Sequence, residues 1–432
     1  MTRQLLTLAA LCIGLLPLSA LAQVDHLRPA DQRGLNVFET PKTPSAEFDG
    51  VQVDWGAAFT QQFQALGHSN TAGEILNGDG VNQNELYSLG NGFNLATANL
   101  GLDAQLARGV RVNLVTYLSS RHHQEAWVKG GYLQVDDVSW LGVPALDRAF
   151  DYLTVKAGHY EINYGDAHFR RTDNGNAIYN PFVGNYLMDA FTTEIGGEVT
   201  AQYNGGLAVV GVTGGEIKGD VFASDDPERS RAPAFYGKLG YDRQLNEDLR
   251  VRLTGSAYTT SSSASNTLFA GDRAGSRFYY VMENTAASAT SNFRSGMVNP
   301  GFSDQVTAFM VNPFVKFHGF ELFGLYETAD GRAHNETETR NWSQYAVDAV
   351  YRFMPREQLF VGARYNSATG QYAGMENDVT INRYEIGAGW FVTPNVLTKV
   401  EYVNQQYKDF PHTSINCGGE FSGFMIEGVV SF

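Results

Sequence analysis

From Val51 to Phe432 the chain repeats a single unit, a segment of alternating apolar and polar side chains followed by a turn or a polar loop. Each segment has about ten to fifteen residues. In the segments 347–352 and 384–390, one face is apolar or aromatic and the other is polar or glycine except at Val350. A period of two is typical of β-strands, because successive side chains point to opposite faces. The pattern therefore predicts an all-β chain of consecutive hairpins.

The connections between these segments are of two kinds. Seven belong to the first kind: six are short and carry residues that turn the backbone with little strain, at 106–109, 204–206, 246–248, 318–319, 354–357 and 393–395, and a somewhat longer one covers roughly 138–150. Eight are mostly longer and more polar, at 67–85, 120–124, 165–192, 219–232, 262–303, 330–341, 368–378 and 408–419. Their alternation predicts sixteen antiparallel strands. The apolar run 278–281 leaves one alternative, an additional hairpin that would give eighteen.

A single transmembrane β-barrel explains this organisation better than a soluble β-sandwich. A sandwich usually closes within about a hundred residues, whereas here the hairpins continue from residue 51 to residue 432. A closed barrel pairs every backbone hydrogen-bonding group inside a bilayer and places short periplasmic turns at one rim and long external loops at the other. We therefore expect residues 51–432 to form the barrel domain.

Composition excludes several other classes of protein. Charged residues make up only 18% of the chain, while aromatic residues make up 12% and there are 46 glycines, which disfavours both a disordered chain and a charged helical array. The formal net charge of -15 argues against nucleic acid as a partner. Of the two cysteines, Cys12 lies in the apolar N-terminal run and Cys417 is left alone, so neither an intramolecular disulfide nor a cysteine-based metal site is expected.

The first residues indicate export. A short basic start at Arg3, an apolar run from Leu5 to Leu16 and the small-residue pattern before Gln23 are typical of a signal peptide at 1–22, cleaved after Ala22. A membrane-spanning helix is the alternative for this stretch. Residues 23–50 contain three prolines and few apolar side chains, so we expect an extended lead-in segment on the periplasmic side.

The final strand carries a family resemblance. From Phe424 to Phe432 every second residue is apolar or glycine, and the chain ends on phenylalanine. This segment resembles the insertion signal with which Gram-negative outer-membrane barrel proteins end. With the signal peptide and the strand count, the mature chain resembles the outer-membrane porins and, more loosely, the phosphate-selective porin O and P group.

The resemblance implies a location and a function. It implies an outer-membrane channel of a Gram-negative bacterium through which ions and small hydrophilic solutes diffuse passively. No catalysis, cofactor or metal is expected. The implied partners are outer-membrane lipid, lipopolysaccharide and two further copies of the chain in a homotrimer.

The third long connection, 165–192, is the candidate pore constriction. In the sixteen-stranded porins the third external loop folds into the barrel, and the resemblance implies the same for this loop. Its sequence supplies both aromatic side chains as anchors and charges for an aqueous gap, although a solvated surface loop remains the alternative. The candidate constriction residues are Arg170, Arg171, Asp173 and Asp189.

Strand parity predicts which charged residues face the lumen. The candidate pore-wall residues are Arg111, Lys156, Arg252, Arg352, Arg364, Arg383, Glu385, Lys399 and Glu401, and the same parity places Lys238, Arg250, Asp103, Glu194, Glu198, Asp242, Asp348 and Glu427 in the lumen. Basic and acidic residues nearly cancel in this set, so it leaves open whether anions or cations are preferred. Phosphate selectivity would imply a ladder of Arg and Lys, and acidic residues interrupt any such ladder here.

Two other functions compete with the channel. An adhesin or receptor barrel would use its long external loops, above all 262–303, as a contact surface. An outer-membrane hydrolase would need a nucleophile beside a general base, and the sequence contains no Gly-x-Ser-x-Gly elbow. Within the channel class, a sugar-specific pore would need a trail of lumen aromatics, for which Tyr117, Tyr258 and Phe360 are candidates.

Overall fold

The computed structural model describes residues 27–40, 42, 48–94, 96–118, 126–219, 231–271, 273 and 275–432. The predicted signal peptide, the predicted loop 120–124 and most of the predicted loop 219–232 lie outside these ranges. The described residues form one closed, antiparallel sheet of sixteen long strands and one two-residue strand. The prediction of a sixteen-stranded β-barrel is therefore confirmed.

The described residues form seventeen strands, one α-helix and three short 3-10 turns. The strands are β1 Gln52–Ser69, β2 Gly92–Phe93, β3 Thr97–Ala107, β4 Val110–Leu118, β5 Trp127–Val135, β6 Leu153–Glu161, β7 Thr193–Tyr203, β8 Gly206–Thr213, β9 Ala234–Gln244, β10 Leu249–Thr260, β11 Gln305–Phe317, β12 Phe320–Arg332, β13 Arg340–Phe353, β14 Leu359–Gly370, β15 Val379–Thr393, β16 Val396–Lys408 and β17 Glu420–Ser431. The helix α1 spans Pro144–Phe150, and short 3-10 turns lie at Gln32–Gly34, Ser139–Leu141 and Ala167–Phe169. No helix in the described part of the chain is long and apolar enough to cross a membrane.

The first and last strands close the barrel. The early part of β1 pairs with β3, from Gln52 opposite Gln105, and its later part pairs with β17, ending with Ser69 opposite Glu420. Where β17 ends, the backbone groups of Ala57 and Phe432 exchange two hydrogen bonds of 2.9 and 3.0 Å. Each long strand described here is thus paired on both sides, as a bilayer requires.

The seven predicted short turns all connect neighbouring strands. The turn between β7 and β8 shows why the sequence selects them. Asn204 and Gly205 have φ values of 48° and 85°, and this pair of left-handed residues makes the hairpin turn whose twist matches that of the flanking strands. The longest of the seven, between β5 and β6, contains α1.

Side chains alternate between the outside and the inside of the barrel. On β17, Phe424 and Ile426 are 56% and 54% exposed, whereas Met425 and Glu427 are fully buried. The outer surface is therefore the apolar one, and the charged side chains point inward. This arrangement suits a barrel surrounded by hydrocarbon rather than by water.

Three segments fill much of the barrel interior. We call them the N-terminal segment (27–40), the third loop (162–192) and the fifth loop (261–304). Their apolar side chains join one buried cluster with inward-facing wall residues, for example Phe38, Leu187 and Phe278 with Phe314 and Phe323. The core of the protein thus lies inside the barrel.

The eighteen-strand alternative is wrong. Among the described residues of the fifth loop there is no strand. Arg277, Tyr280 and Met282 have positive φ values of 76°, 60° and 58°, which interrupt an extended conformation. The apolar run resembled a strand because Phe278 and Val281 are buried in the interior cluster rather than against lipid.

Candidate functional site

The third loop lies inside the barrel and is hydrogen-bonded to the strands β13–β16. The Lys399 ammonium group on β16 donates to the carbonyl oxygens of Ala177, Asn180 and Phe182 at 3.2, 3.0 and 2.8 Å. The Glu401 carboxylate accepts from the backbone N–H of Val183 at 2.6 Å. Buried backbone groups of an irregular loop need such partners. Two of the predicted pore-wall residues therefore hold the loop by its backbone.

The next part of the loop is bound in the same way by neighbouring strands. The backbone N–H of Leu187 donates to the Asn366 side chain at 2.7 Å, and that of Met188 donates to the Gln344 side chain at 3.1 Å. Arg383 donates to the carbonyl oxygens of Asn185 in the third loop and Gly296 in the fifth loop, both at 2.7 Å. Arg383 thus links the two inserted loops to the wall.

Predicted wall residues on β13–β15 form buried ion pairs. Arg364 pairs with Asp348 at 2.7 Å and with Glu385 at 3.4 Å, and its guanidinium lies between the rings of Phe182 and Tyr186 at 4.4 and 4.2 Å. Aromatic faces and carboxylates together replace the water that a guanidinium would otherwise bind. These charges are enclosed between the wall and the third loop.

Arg170, a candidate constriction residue, lies in a similar enclosed position. It pairs with Glu321 at 3.4 Å and donates to the side chain of Asn36 in the N-terminal segment. The predicted wall residue Arg352 pairs with the same Glu321 at 2.7 Å. Arg170 therefore connects the third loop to both the wall and the N-terminal segment, and it is almost completely excluded from solvent.

The carboxylate of Asp166, at the start of the third loop, accepts hydrogen bonds from three side chains of β9 and β10. Arg252 donates to it through two bonds of 2.8 Å, Thr254 donates at 2.7 Å and Lys238 pairs with it at 3.1 Å. Burial opposes ionisation of this carboxyl, but the adjacent Lys238 and Arg252 charges and hydrogen bonds outweigh it and lower the pKa of Asp166. The carboxylate is therefore held in its charged form.

The N-terminal segment enters the barrel at the rim that carries the short turns. Glu39 pairs with Arg252 at 2.7 Å and with Lys238 at 3.2 Å, and Phe38 packs edge-on against Phe169 and Phe314. The sequence pattern predicted an extended lead-in segment and did not indicate this insertion. The only signal in the sequence was the large apolar residue Phe38 next to Glu39 within an otherwise polar stretch.

Arg28 anchors the other end of this segment. Its guanidinium lies 3.4 Å from the centre of the Tyr179 ring and donates to the carbonyl oxygen of Phe169 at 3.0 Å. Burial lowers the pKa of Arg28 to about 10, partly offset by Tyr179. The N-terminal segment thus contacts the third loop at both of its ends, through Arg28 and through Phe38.

On the opposite side, the inserted segments leave a cavity. It has a volume of about 460 Å³ and lies against β1 and β3–β7. It extends along most of β6, from Thr154 near the first residue to Glu161 at the last. Part of the wall carries small or polar residues here, namely Gly101, Asn113 and Gln134. A side chain at Gly101 would begin in open space, with only the carbonyl oxygen of Gly56 within 4 Å, at 3.9 Å.

The other candidate constriction residues lie at or near this cavity. Asp173 borders it and pairs with Lys129 of β5. Arg171 also borders it, but the guanidinium is buried in a bidentate pair with Asp189 and lies 4.0 Å from the centre of the Phe191 ring. Asp189 is buried as well. The structure therefore brings Arg171, Asp173 and Asp189 into one region and places Arg170 elsewhere.

Two of the predicted wall residues belong to the cavity half of the barrel. Lys156 lines the cavity, with its ammonium group 5.1 and 5.3 Å from the ring centres of Tyr132 and Tyr160 and 3.5 Å from Glu198. Arg111 on β4 pairs with Asp136 just beyond β5. The candidate sugar-trail residues Tyr117, Tyr258 and Phe360 are all buried and do not line the cavity.

Sequence parity missed two buried carboxylates on β12. Glu321 and Glu327 point inward, but Phe323 and Leu325 also point inward, while Leu322 and Tyr326 point outward. Both faces of this strand therefore carry large apolar side chains, because the inner face packs against inserted segments instead of water. Alternation therefore gave no signal for the inner face of β12.

Comparison with known proteins supports the fold. The sequence matches no protein-family model and no curated protein. Among solved structures, the chain is similar to a loop-deletion mutant of OmpT, an outer membrane protein of Vibrio cholerae, with a TM-score of 0.51 and 10% identity over 89% of this chain and 100% of that one. The trimer form of in-vitro folded OmpT has a TM-score of 0.50 and 12% identity over 89% of this chain and 100% of that one.

An anion-selective porin from Comamonas acidovorans is similar to the same extent. Its TM-score is 0.50, with 11% identity over 88% of this chain and 100% of that one. At this level of identity the likeness concerns the fold alone. The chain thus has the fold of an outer-membrane β-barrel protein, and the porin-like barrel is the architecture that it shares with these structures.

Proposed function

We propose that this chain is an outer-membrane channel of a Gram-negative bacterium, through which ions and small hydrophilic solutes diffuse passively. The observation that carries the proposal is the asymmetry of the barrel interior. The half formed by β9–β17 is packed against inserted segments, whereas the half formed by β1 and β3–β7 borders a cavity lined by charged, polar and aromatic side chains. A barrel of about sixteen strands is wide enough to hold both.

In this proposal the third loop narrows the channel. Asp173 and Arg171 lie where the loop borders the cavity, whereas Arg170 and Asp189 keep the loop in position through their ion pairs. The N-terminal segment narrows the same passage, because Arg28 and Glu39 also border the cavity. Two inserted segments would then set the width together.

The proposal includes the path to the membrane. The signal peptide 1–22 is cleaved after Ala22, the short turns face the periplasm and the apolar outer surface contacts lipid and lipopolysaccharide. Neither catalysis nor a cofactor is part of the proposed function. A homotrimer is supported by the trimer form of one similar solved structure. Chemical crosslinking of gently extracted protein tests the trimer, and a single monomeric band would contradict it.

The adhesin alternative receives less support. It relied on the fifth loop as an exposed contact surface, but Phe278 and Val281 of that loop are buried inside the barrel. Phosphate selectivity is also not part of the proposal, since Arg252, Arg352 and Arg364 are each paired with carboxylates.

The test is single-channel conductance in a planar bilayer, with a pair of glycine variants. Gly101 faces the cavity and Gly255 faces outward on β10, and each has open space where a side chain would begin. We expect stable conductance from the wild type, a lower value for Gly101→Tyr and an unchanged value for Gly255→Tyr. No conductance from folded wild-type protein, or equal conductance from both variants, would contradict the proposal.

A further inference from the structure

Two of the acid–base pairs that border the cavity expose the acid more than its basic partner. In the pair of Lys129 with Asp173, the side chains are 6% and 21% exposed, and in the pair of His168 with Glu161 they are 7% and 31% exposed. All four residues line the cavity, and in both pairs the carboxylate is the more exposed partner. The carboxylate of each pair is therefore more accessible to a solute in the cavity than its basic partner is.

Aromatic rings and backbone oxygens enclose the positive ends. The Lys129 ammonium group lies 5.2 Å from the centre of the Phe191 ring. The Arg171 guanidinium lies 4.0 Å from the same ring centre and pairs with Asp189. Arg28 lies over Tyr179 and donates to backbone carbonyl oxygens. Each cation already has neighbours that replace water.

A further carboxylate, that of Asp103 on β3, also lines the cavity. Arg111 on β4 pairs with Asp136, but its charge also acts on Asp103, which accepts a hydrogen bond of 2.8 Å from the Asn113 side chain. In the strand register Asp103 is directly opposite Asp54 of β1, so two acids are neighbours on this part of the wall. Like charges in this position strengthen the negative potential near the solute path.

One cation opposes this trend. Lys156 is 21% exposed and lines the cavity, but its ammonium group is 3.5 Å from Glu198, which offsets its charge. The basic residues of the other half, such as Arg352 and Lys399, are paired and enclosed behind the third loop. Accessible charge in the cavity is therefore mainly negative.

We propose that the channel prefers cations to anions, and that among small organic solutes it prefers those bearing an ammonium group to those bearing a carboxylate. Asp103, Glu161 and Asp173 are the residues that set this preference. The inference rests on the proposed channel function, and selectivity follows from fixed charges at a narrow aqueous passage.

The test is the reversal potential of single channels or of channel populations under a KCl gradient. We expect the reversal potential of the wild type to have the sign that corresponds to a preference for cations. The double variant Asp103→Asn with Glu161→Gln keeps side-chain size, and we expect its permeability ratio of K⁺ to Cl⁻ to fall roughly two- to fourfold, as the removal of charges near an ion in water predicts. Glu338→Gln removes an exposed loop charge outside the cavity and should leave the ratio unchanged.

Salt concentration provides a second readout on the unmodified protein. The preference should weaken as the salt concentration rises, since the Debye length falls from about 10 Å at 0.1 M to about 3 Å at 1 M. A conducting wild type with an anion preference, or a double variant with an unchanged ratio, would overturn the inference while the channel function stands. A folded wild type without conductance would instead contradict the channel function itself and the inference with it.

Discussion

Arg364 on β14 and Asp348 on β13 face each other across neighbouring strands, joined by two hydrogen bonds of 2.7 and 3.0 Å with both side chains fully enclosed. The third loop completes this pair. The Tyr186 hydroxyl donates to Asp348 at 2.9 Å, and the carbonyl oxygen of Gly184 accepts from Arg364 at 3.0 Å. A wall ion pair and an inserted loop thus depend on each other.

Removal of one partner of this pair should destabilise the protein strongly. Asp348→Ala leaves a buried guanidinium with reduced compensation, and we expect the free energy of unfolding to fall by about 3–5 kcal/mol. Denaturant titration of the protein in lipid vesicles measures it. Glu338→Gln, on an exposed loop, is the control and should have little effect. A loss in Asp348→Ala as small as in the control would contradict the proposed role of the pair.

Arg170 should control the position of the third loop rather than act on permeating ions directly. Its contacts are Glu321, Asn36 and the rings of Phe314 and Phe323. We expect Arg170→Ala to increase open-channel current noise, because the loop loses an anchor to two other elements. The matched variant Arg33→Ala removes a 79% exposed guanidinium of the N-terminal segment and should leave the current noise unchanged. Equal noise in the two variants would show that the anchor is dispensable.

Acidification should loosen the start of the third loop. The pKa of Asp166 is lowered in the folded protein, so its stabilising contribution is present above the pKa of the unfolded state, about 3.9, and is lost as pH falls through the folded-state pKa. We expect current fluctuations to increase below about pH 4. Asp166→Asn should show them already at neutral pH. Wild-type current that is equally steady down to about pH 2 would contradict this dependence.

The barrel wall could be predicted from the sequence, because strand alternation and turn chemistry are local properties. The seven turns and the sixteen strands follow from them, as at Asn204 and Gly205. Alternation failed where both faces of a strand are apolar, as on β12.

The filling of the barrel could not be predicted in the same way. Neither the insertion of Glu39 nor the enclosure of Arg170 leaves a local pattern, because both depend on residues more than a hundred positions away in the chain, such as Lys238 and Glu321. The exposure of one partner in an ion pair is likewise a property of packing. The candidate constriction residues could therefore be named from the sequence, but their separate positions could not.

A solute path along the β3–β7 half of the barrel can be tested with two glutamines whose side chains face inward. Gln134 on β5 lines the cavity, whereas Gln405 on β16 is completely buried. Each is replaced by cysteine in a Cys417→Ser background, and a charged thiol reagent is added during single-channel recording. We expect the reagent to lower the conductance of the Gln134→Cys channel and to leave the Gln405→Cys channel unchanged. Reaction and block at Gln405→Cys alone, or at both positions equally, would place the path elsewhere and refute the proposed route.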